Sequence, residues 1–145
     1  QYPGEGAKTL TDGKKGYTDN FKDPLWLGYR ENPFAAEFDF GDKPPVIQKI
    51  VISSGVNIGG YIFPPTEIEV WAGQNNRILK LIKSVKPAVP KENMPQQVEA
   101  IEVELDSKPS FIVYKLIAKP ISKLPSWHSG KGKKGWFFVD EVFFY

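Results

Sequence analysis

The sequence predicts an all-β fold in which short strands form a sandwich or a barrel. Runs of alternating or continuous apolar residues are separated by clusters of Gly, Pro, Asn and Asp, which is typical of strands joined by turns. The 13 Gly and 13 Pro are spread along 145 residues, so no helix of ordinary length fits between them. Hydrophobic residues make up 41% of the chain and aromatic residues 14%, which suits one domain with a buried core.

Seven runs have the character of strands. Residues 34–40 and 66–71 alternate between apolar and polar side chains, as half-buried strands do. Residues 46–53 are rich in Ile and Val, and residues 111–118 are almost continuously apolar, which indicates strands in a core. The remaining runs are 77–83, 98–105 and 135–145.

Two segments lack this pattern. Residues 86–95 are Pro-rich and polar, and we expect them to form an excursion on the surface. Residues 11–33 contain several bulky apolar side chains but little alternation. Loops of this length are uncommon in compact domains unless they are functional or pinned. We therefore expect packing to anchor this segment, with Trp26 in the core.

The run 135–145 carries two carboxylates within a bulky apolar pattern. Successive side chains of a strand point to opposite faces, so Asp140 and Glu141 are predicted to lie on opposite faces. Both faces are otherwise apolar, and each carboxylate then needs a partner, because an unpaired buried charge is costly. A salt bridge, a solvated strand end and an oxygen-only site for calcium are all open interpretations.

Composition excludes several classes of function. The net charge of +2 is too small to indicate a nucleic-acid partner, and no apolar run reaches the roughly 20 residues of a membrane span. The absence of Cys excludes thiolate metal sites. Glycosidases need two facing carboxylates, which the predicted orientation of Asp140 and Glu141 does not provide. The single histidine, His128, has no accompanying Ser signature, so the chain is not expected to be an enzyme.

Six short motifs occur in order along the chain and resemble a known family. They are Leu10-Thr11-Asp12-Gly13, Gly16-Tyr17-Thr18-Asp19, Trp26-Leu27-Gly28, Phe38-Asp39-Phe40-Gly41, Trp127-His128 and Trp136-Phe137-Phe138-Val139-Asp140-Glu141-Val142. Their order and spacing resemble the discoidin-like domain, also called the coagulation factor 5/8 type C domain. Within that group, the chain is similar to family 32 carbohydrate-binding modules. More narrowly, it is similar to the C-terminal module of Bacteroides-type β-hexosaminidases, the chitobiases.

The resemblance implies an antiparallel jelly-roll β-sandwich of the galactose-binding type, with residues 1–145 forming one module. The chain does not begin with Met, so we expect it to be cut from a larger protein. The resemblance implies that the module lies at the C-terminus of that protein. The implied function is carbohydrate binding by a non-catalytic accessory module of an exported glycoside hydrolase. Its ligand would be an amino-sugar or galactose-type glycan, and its partner the catalytic domain of the same polypeptide.

We expect the module to be a monomer that binds no nucleic acid and inserts into no membrane, and that lies in the periplasm or on the bacterial cell surface. A second function stays open, in which the module is structural. It would then pack against the catalytic domain or space it from the surface, and would bind no ligand of its own.

The family also implies one structural calcium ion near the ends of the first and last strands. Carried over to this sequence, its ligands would be Asp12, Thr18 and Glu141, with main-chain carbonyls completing the site. An ion-free loop held by hydrogen bonds is the alternative.

Sugar binding requires an aromatic face for the pyranose and a few polar groups for its hydroxyls. Two aromatic and polar stretches, at 26–32 and 123–131, offer that mixture, and a third lies at 55–63. Galactose-binding members of the family combine an aromatic residue with His, Arg and Asn. The corresponding candidates here are Trp127, His128, Arg30 and Asn57, with Tyr29 beside Arg30. A packing role for Trp127 and an ordinary loop role for His128 are the alternatives.

Overall fold

Eight strands form two sheets in the computed structural model of the chain, which describes residues 10, 11, 13, 16, 21, 23–106 and 110–145. The strands are β1 (Leu27–Tyr29), β2 (Phe34–Asp39), β3 (Lys49–Val56), β4 (Glu67–Gly73), β5 (Lys80–Val85), β6 (Gln97–Glu104), β7 (Val113–Lys119) and β8 (Phe137–Phe144). No α-helix occurs in the described part of the chain, and no helix there is long and apolar enough to cross a membrane.

The strand order is that of a jelly roll. One sheet has the order β1-β8-β3-β6 and the other β2-β7-β4-β5, and every pair of neighbouring strands is antiparallel. Consecutive strands therefore mostly alternate between the two sheets, which is how a jelly roll closes. The predicted all-β sandwich is confirmed.

Alternation along the strands builds the core between the sheets. In β4, Ile68, Val70 and Ala72 are buried while the intervening side chains are partly exposed. In β7, Leu116 and Ala118 repeat the pattern. The buried cluster draws on both sheets, which is the arrangement expected when each sheet hides one face against the other.

The last strand differs from its predicted alternation. Phe137 and Val139 face the core, but so do Val142 and Phe144, which have the opposite parity. The cause is an irregularity in pairing with β3, where Ser53 pairs with Glu141 and Ser54 with Val139, so that one residue of β8 is inserted. The prediction that Asp140 and Glu141 point to opposite faces is therefore wrong. The bulge turns both carboxylates away from the core.

The outer face of β8 packs against residues that precede β1. Phe21 and Trp26 pack edge-on, with ring centroids 4.9 Å apart, and Phe21 also contacts Phe138 at 5.8 Å. Trp26 is fully buried, which confirms it as a core residue. Phe21 packs closely on Gly55 of β3, where an added Cβ would lie 2.4 Å from the ring, so this position needs glycine. These residues lead directly into β1, a three-residue strand that the sequence pattern did not predict.

The strand directions bring four connections to the same end of the sandwich, here called the upper end. It consists of residues 30–33, 57–66, 86–96 and 120–136. The connections 40–48 and 74–79 lie at the lower end, as do residues 105, 106 and 110–112.

Candidate functional site

The upper end is built around a tight turn that follows β3. Asn57 and Ile62 exchange two main-chain hydrogen bonds of 2.9 Å, which close the turn. The Asn57 side-chain oxygen also accepts a 3.0 Å bond from the N–H of Gly60. The Asn57 amide, predicted to contact a glycan, thus has a role in holding this turn. Tyr61 completes the turn with a φ of 64°, which is rare for a residue with a side chain.

The long connection before β8 folds back on that turn. The N–H of Trp136 donates to the carbonyl of Tyr61 at 2.7 Å, and the N–H of Gly135 donates to the carbonyl of Ile121 at 3.0 Å. Below these bonds, Phe63, Ile121 and Leu124 form a small buried cluster. The connection is therefore an ordered platform in spite of its Gly and Lys content.

His128 fastens the two loops together. It is only 5% exposed, and its Nε2 lies 2.7 Å from the carbonyl oxygen of Ile58. The N–H of Gly130 donates to its Nδ1 at 2.8 Å, so Nδ1 is an acceptor and Nε2 carries the proton. Both ring nitrogens are used by main-chain groups. His128 therefore positions the two loops, and its predicted contact with a ligand stays a prediction.

Two aromatic rings flank this histidine. Tyr61 meets the imidazole edge-on at a centroid distance of 4.8 Å, and Gly130 makes room for the phenol, since a Cβ there would lie 2.7 Å from the ring. Trp127 is half-buried and lies stacked over Phe63, with centroids 6.1 Å apart and planes inclined by 29°. Trp127 is thus seated on the core cluster and partly open to solvent. Tyr61 is a site residue that was not selected from the sequence.

The other predicted contacts lie at the start of the first upper connection. Arg30 is exposed. Tyr29 is half-buried, packs edge-on against Phe34 at 5.3 Å, and has its phenol pKa raised by burial. Glu31 forms a 3.1 Å ion pair with Lys134, which ties this connection to the one that carries Trp127. The structure therefore places these candidates at one end, with Tyr29 partly engaged in packing.

Positive charge is concentrated in the connection 120–136. It contains four lysines and no acidic residue, although the whole chain has a net charge of only +2. All four are exposed, and only Lys134 forms an ion pair with a described carboxylate. The aromatic platform is thus rimmed by amino groups able to donate hydrogen bonds to hydroxyls or to meet anionic groups.

Of the predicted calcium ligands, Glu141 lies on the outer face of β8, beside Asp140. Glu141 is 2% exposed and its Oε1 accepts a 2.8 Å hydrogen bond from the N–H of Gly13. Asp140 is fully buried and its Oδ2 accepts a 2.7 Å bond from the N–H of Gly16. Asp12 and Thr18 lie outside the described residues.

These oxygens belong to the class that calcium takes, and they lie against the segment that the ion would join. The two N–H groups also offset carboxylate charge without a cation, as in the hydrogen-bonded alternative. Within the described residues, no group of three or more His, Asp or Glu side chains is placed to hold a metal.

Comparisons with known proteins bear on the fold. No family model matches the chain, and no curated protein matches it in sequence. Among solved structures, the chain is similar to "CBM32 of AlyQ in complex with 4,5-unsaturated mannuronic acid", a family 32 carbohydrate-binding module. The TM-score is 0.59 and the sequence identity 12%, over 100% of this chain and 89% of that chain. The jelly-roll sandwich is thus shared with a module of the family that the sequence motifs resemble.

Proposed function

We propose that this chain is a non-catalytic carbohydrate-binding module whose glycan lies against the upper end of the sandwich. The observation that supports this most is the position of Trp127. It is half-buried on Phe63, in a connection fixed by His128 and rimmed by four lysines. A rigid aromatic surface beside hydrogen-bond donors is the combination that a pyranose needs.

The contacts divide into two groups in this proposal. Trp127 and Tyr61 provide the aromatic surface. Arg30 and the lysines of 120–136 provide donors, and Asn57 adds an amide next to the turn. His128 and Tyr29 act mainly through packing, because the imidazole nitrogens are engaged by main-chain groups and the Tyr29 ring packs on Phe34.

The setting of the module is proposed from its sequence resemblance. It would belong to an exported glycoside hydrolase of the β-hexosaminidase type, in the periplasm or on the bacterial surface, and would bind amino-sugar or galactose-type glycans. The neighbouring partner would be the catalytic domain of the same polypeptide. One calcium ion would join Asp12, Thr18 and Glu141, supported by the buried carboxylates on β8.

A structural accessory role is the second candidate, and the engagement of His128 favours it. The His128 imidazole and the Trp127 ring both have packing contacts within this end of the sandwich. In this role those contacts would serve only to make the loop rigid. In that case the upper end would have no glycan affinity.

A glycan array with the whole chain separates the two. The array should include β-linked N-acetylhexosamine, galactose and matched glucose glycans. Binding that is lost in Trp127→Ala supports the proposed function. Failure to bind any of these ligands would favour the structural role.

A further inference from the structure

A groove lies on the outer face of the sheet β2-β7-β4-β5, towards the lower end of the sandwich. Its volume is about 270 Å³, below the roughly 300–1,000 Å³ of sites for drug-sized ligands, so it suits one sugar residue. Its lining combines an aromatic ring, two cations, an amide and two aliphatic side chains. These residues are Trp71, Asn76, Arg77, Leu79, Lys115 and Ile117.

The aromatic ring of this groove is held in place. The indole Nε1 of Trp71 donates to Oε1 of Glu69 at 3.2 Å. The other oxygen of that carboxylate accepts a 3.2 Å bond from Nζ of Lys119. Trp71 is half-buried, so part of its surface remains accessible in the groove. Because its N–H is already engaged, the indole would contribute its apolar surface to a ligand.

Other lysines of the same sheet form ion pairs with carboxylates, whereas the two cations of the groove do not. Lys119 is paired with Glu67 at 2.8 Å, and Lys83 with Asp106 at 2.9 Å. Lys115 lies directly across the ladder from Trp71, and Arg77 borders the same groove. Among the described residues, neither Lys115 nor Arg77 forms an ion pair.

We infer that this groove binds a single anionic pyranose, with the sugar against Trp71 and its acidic group between Arg77 and Lys115. Unpaired cations beside an aromatic surface favour an anion over a neutral sugar, since charge-assisted hydrogen bonds are the stronger ones. A neighbouring cleft, which shares Asn76, is lined by Glu37 and Asp39. Glu37 is also the ladder partner of Lys115, so we expect Arg77 to make the closer contact with the acidic group.

This site is separate from the one proposed at the upper end, because Trp71 lies near the lower end of β4 and Trp127 in an upper connection. A module with both would hold a glycan at two points. The groove at Trp71 can bind its sugar whether or not the upper end binds a glycan.

The indole ¹⁵N–¹H resonance of Trp71, assigned with Trp71→Phe, reports on this groove directly. The probes are methyl β-glucuronide, methyl β-glucoside 6-sulfate and methyl β-glucoside, the last of which lacks an anionic group. We expect the Trp71 signal to shift saturably with one or both anionic sugars and little with the glucoside. The two anionic probes distinguish a uronate ligand from a sulfated one. Added salt should weaken the binding.

Arg77→Gln combined with Lys115→Gln should lower the affinity by about tenfold, the size expected for losing charge-assisted contacts at a partly exposed site. Lys83→Gln removes one positive charge from β5, outside the groove, and should leave the affinity within about twofold. Trp127→Ala should not change the Trp71 titration. An unshifted Trp71 signal, an equal response to the neutral glucoside, or a double variant that binds like wild type would each overturn the inference.

Discussion

The main-chain N–H of Gly130 donates a 2.8 Å hydrogen bond to Nδ1 of His128, so the imidazole presents its proton to the carbonyl of Ile58. One side chain thereby joins the two connections that form the candidate site. We predict that His128 contributes mainly to the stability of the fold. It would affect glycan binding only by holding the two loops in position.

Replacing this imidazole tests that role. His128→Phe keeps an aromatic ring but removes both hydrogen bonds. The Ile58 carbonyl keeps its 3.1 Å bond from the N–H of Tyr61, but the buried N–H of Gly130 loses its acceptor. The free energy of unfolding should fall by about 1–3 kcal/mol. Chemical denaturation measures this loss. A variant as stable as wild type would contradict the structural role and restore His128 as a candidate ligand contact.

Gly130 is predicted to be required for the position of Tyr61. In Gly130→Ala, the new methyl would lie 2.7 Å from the phenol ring, so the ring or the loop must move. We expect a loss of about 1–3 kcal/mol in stability, as for overpacked sites.

Gly59→Ala is the matched control in the neighbouring turn. Its nearest heavy atom would be the Asn57 side-chain oxygen at 3.9 Å, an ordinary contact. The two variants should therefore differ clearly in thermal melts. Equal melting temperatures would show that Tyr61 is not packed as described.

The sequence predicted the fold class because Gly and Pro leave room only for short strands, and the strand runs largely coincide with the observed elements. It missed β1, whose three residues are too few to show an alternation. It also misplaced the carboxylates of β8. A bulge in β8 inserts one residue, which reverses the faces of the side chains that follow. Because both faces of this strand are apolar, the sequence pattern is the same with or without the bulge.

The site was predicted less completely for a similar reason. Residue types identified Trp127 as an exposed aromatic candidate, which its half-buried position allows. The partners of His128 are main-chain groups, one of them 70 residues away, and no side-chain pattern reports them. Tyr61 depends on a positive φ and on the space over Gly130, which only the folded chain defines.

Calcium is predicted to stabilise the fold by joining the segment 12–18 to Glu141. In protein stripped with a chelator, added calcium should raise the melting temperature by mass action, because the ion binds only the folded state. Glu141→Gln should abolish the response, whereas Glu37→Gln, at an exposed position, should retain it. A stripped wild type that ignores calcium would favour a loop held by the hydrogen bonds from Gly13 and Gly16.

The ladder beside Trp71 gives a pH prediction. The hydrogen bond from Lys119, with a second from Ser84, lowers the pKa of the Glu67 carboxyl below its ordinary value of 4.5. The stability from this interaction is present above pH 4.5 and is lost as the pH falls through the lower pKa of the folded state. Lys119→Met should therefore lose less stability than wild type on acidification below pH 4.5.

Lys115→Met is the matched control for this comparison, because Lys115 is on the same strand and forms no ion pair among the described residues. Its melting temperature should follow the wild-type pH curve. Parallel curves for all three proteins would show that the Glu67–Lys119 pair contributes nothing measurable.

Trp127 is proposed to form part of a glycan surface while it packs on the core. The most direct measurement is a calorimetric titration of wild type and Trp127→Ala with the best glycan from the array, alongside their stabilities. We predict that Trp127→Ala loses measurable binding but less stability than Trp26→Ala, for which removal of a fully buried indole should cost about 3–5 kcal/mol. Unchanged glycan affinity in Trp127→Ala, or a stability loss equal to that of Trp26→Ala, would contradict the account.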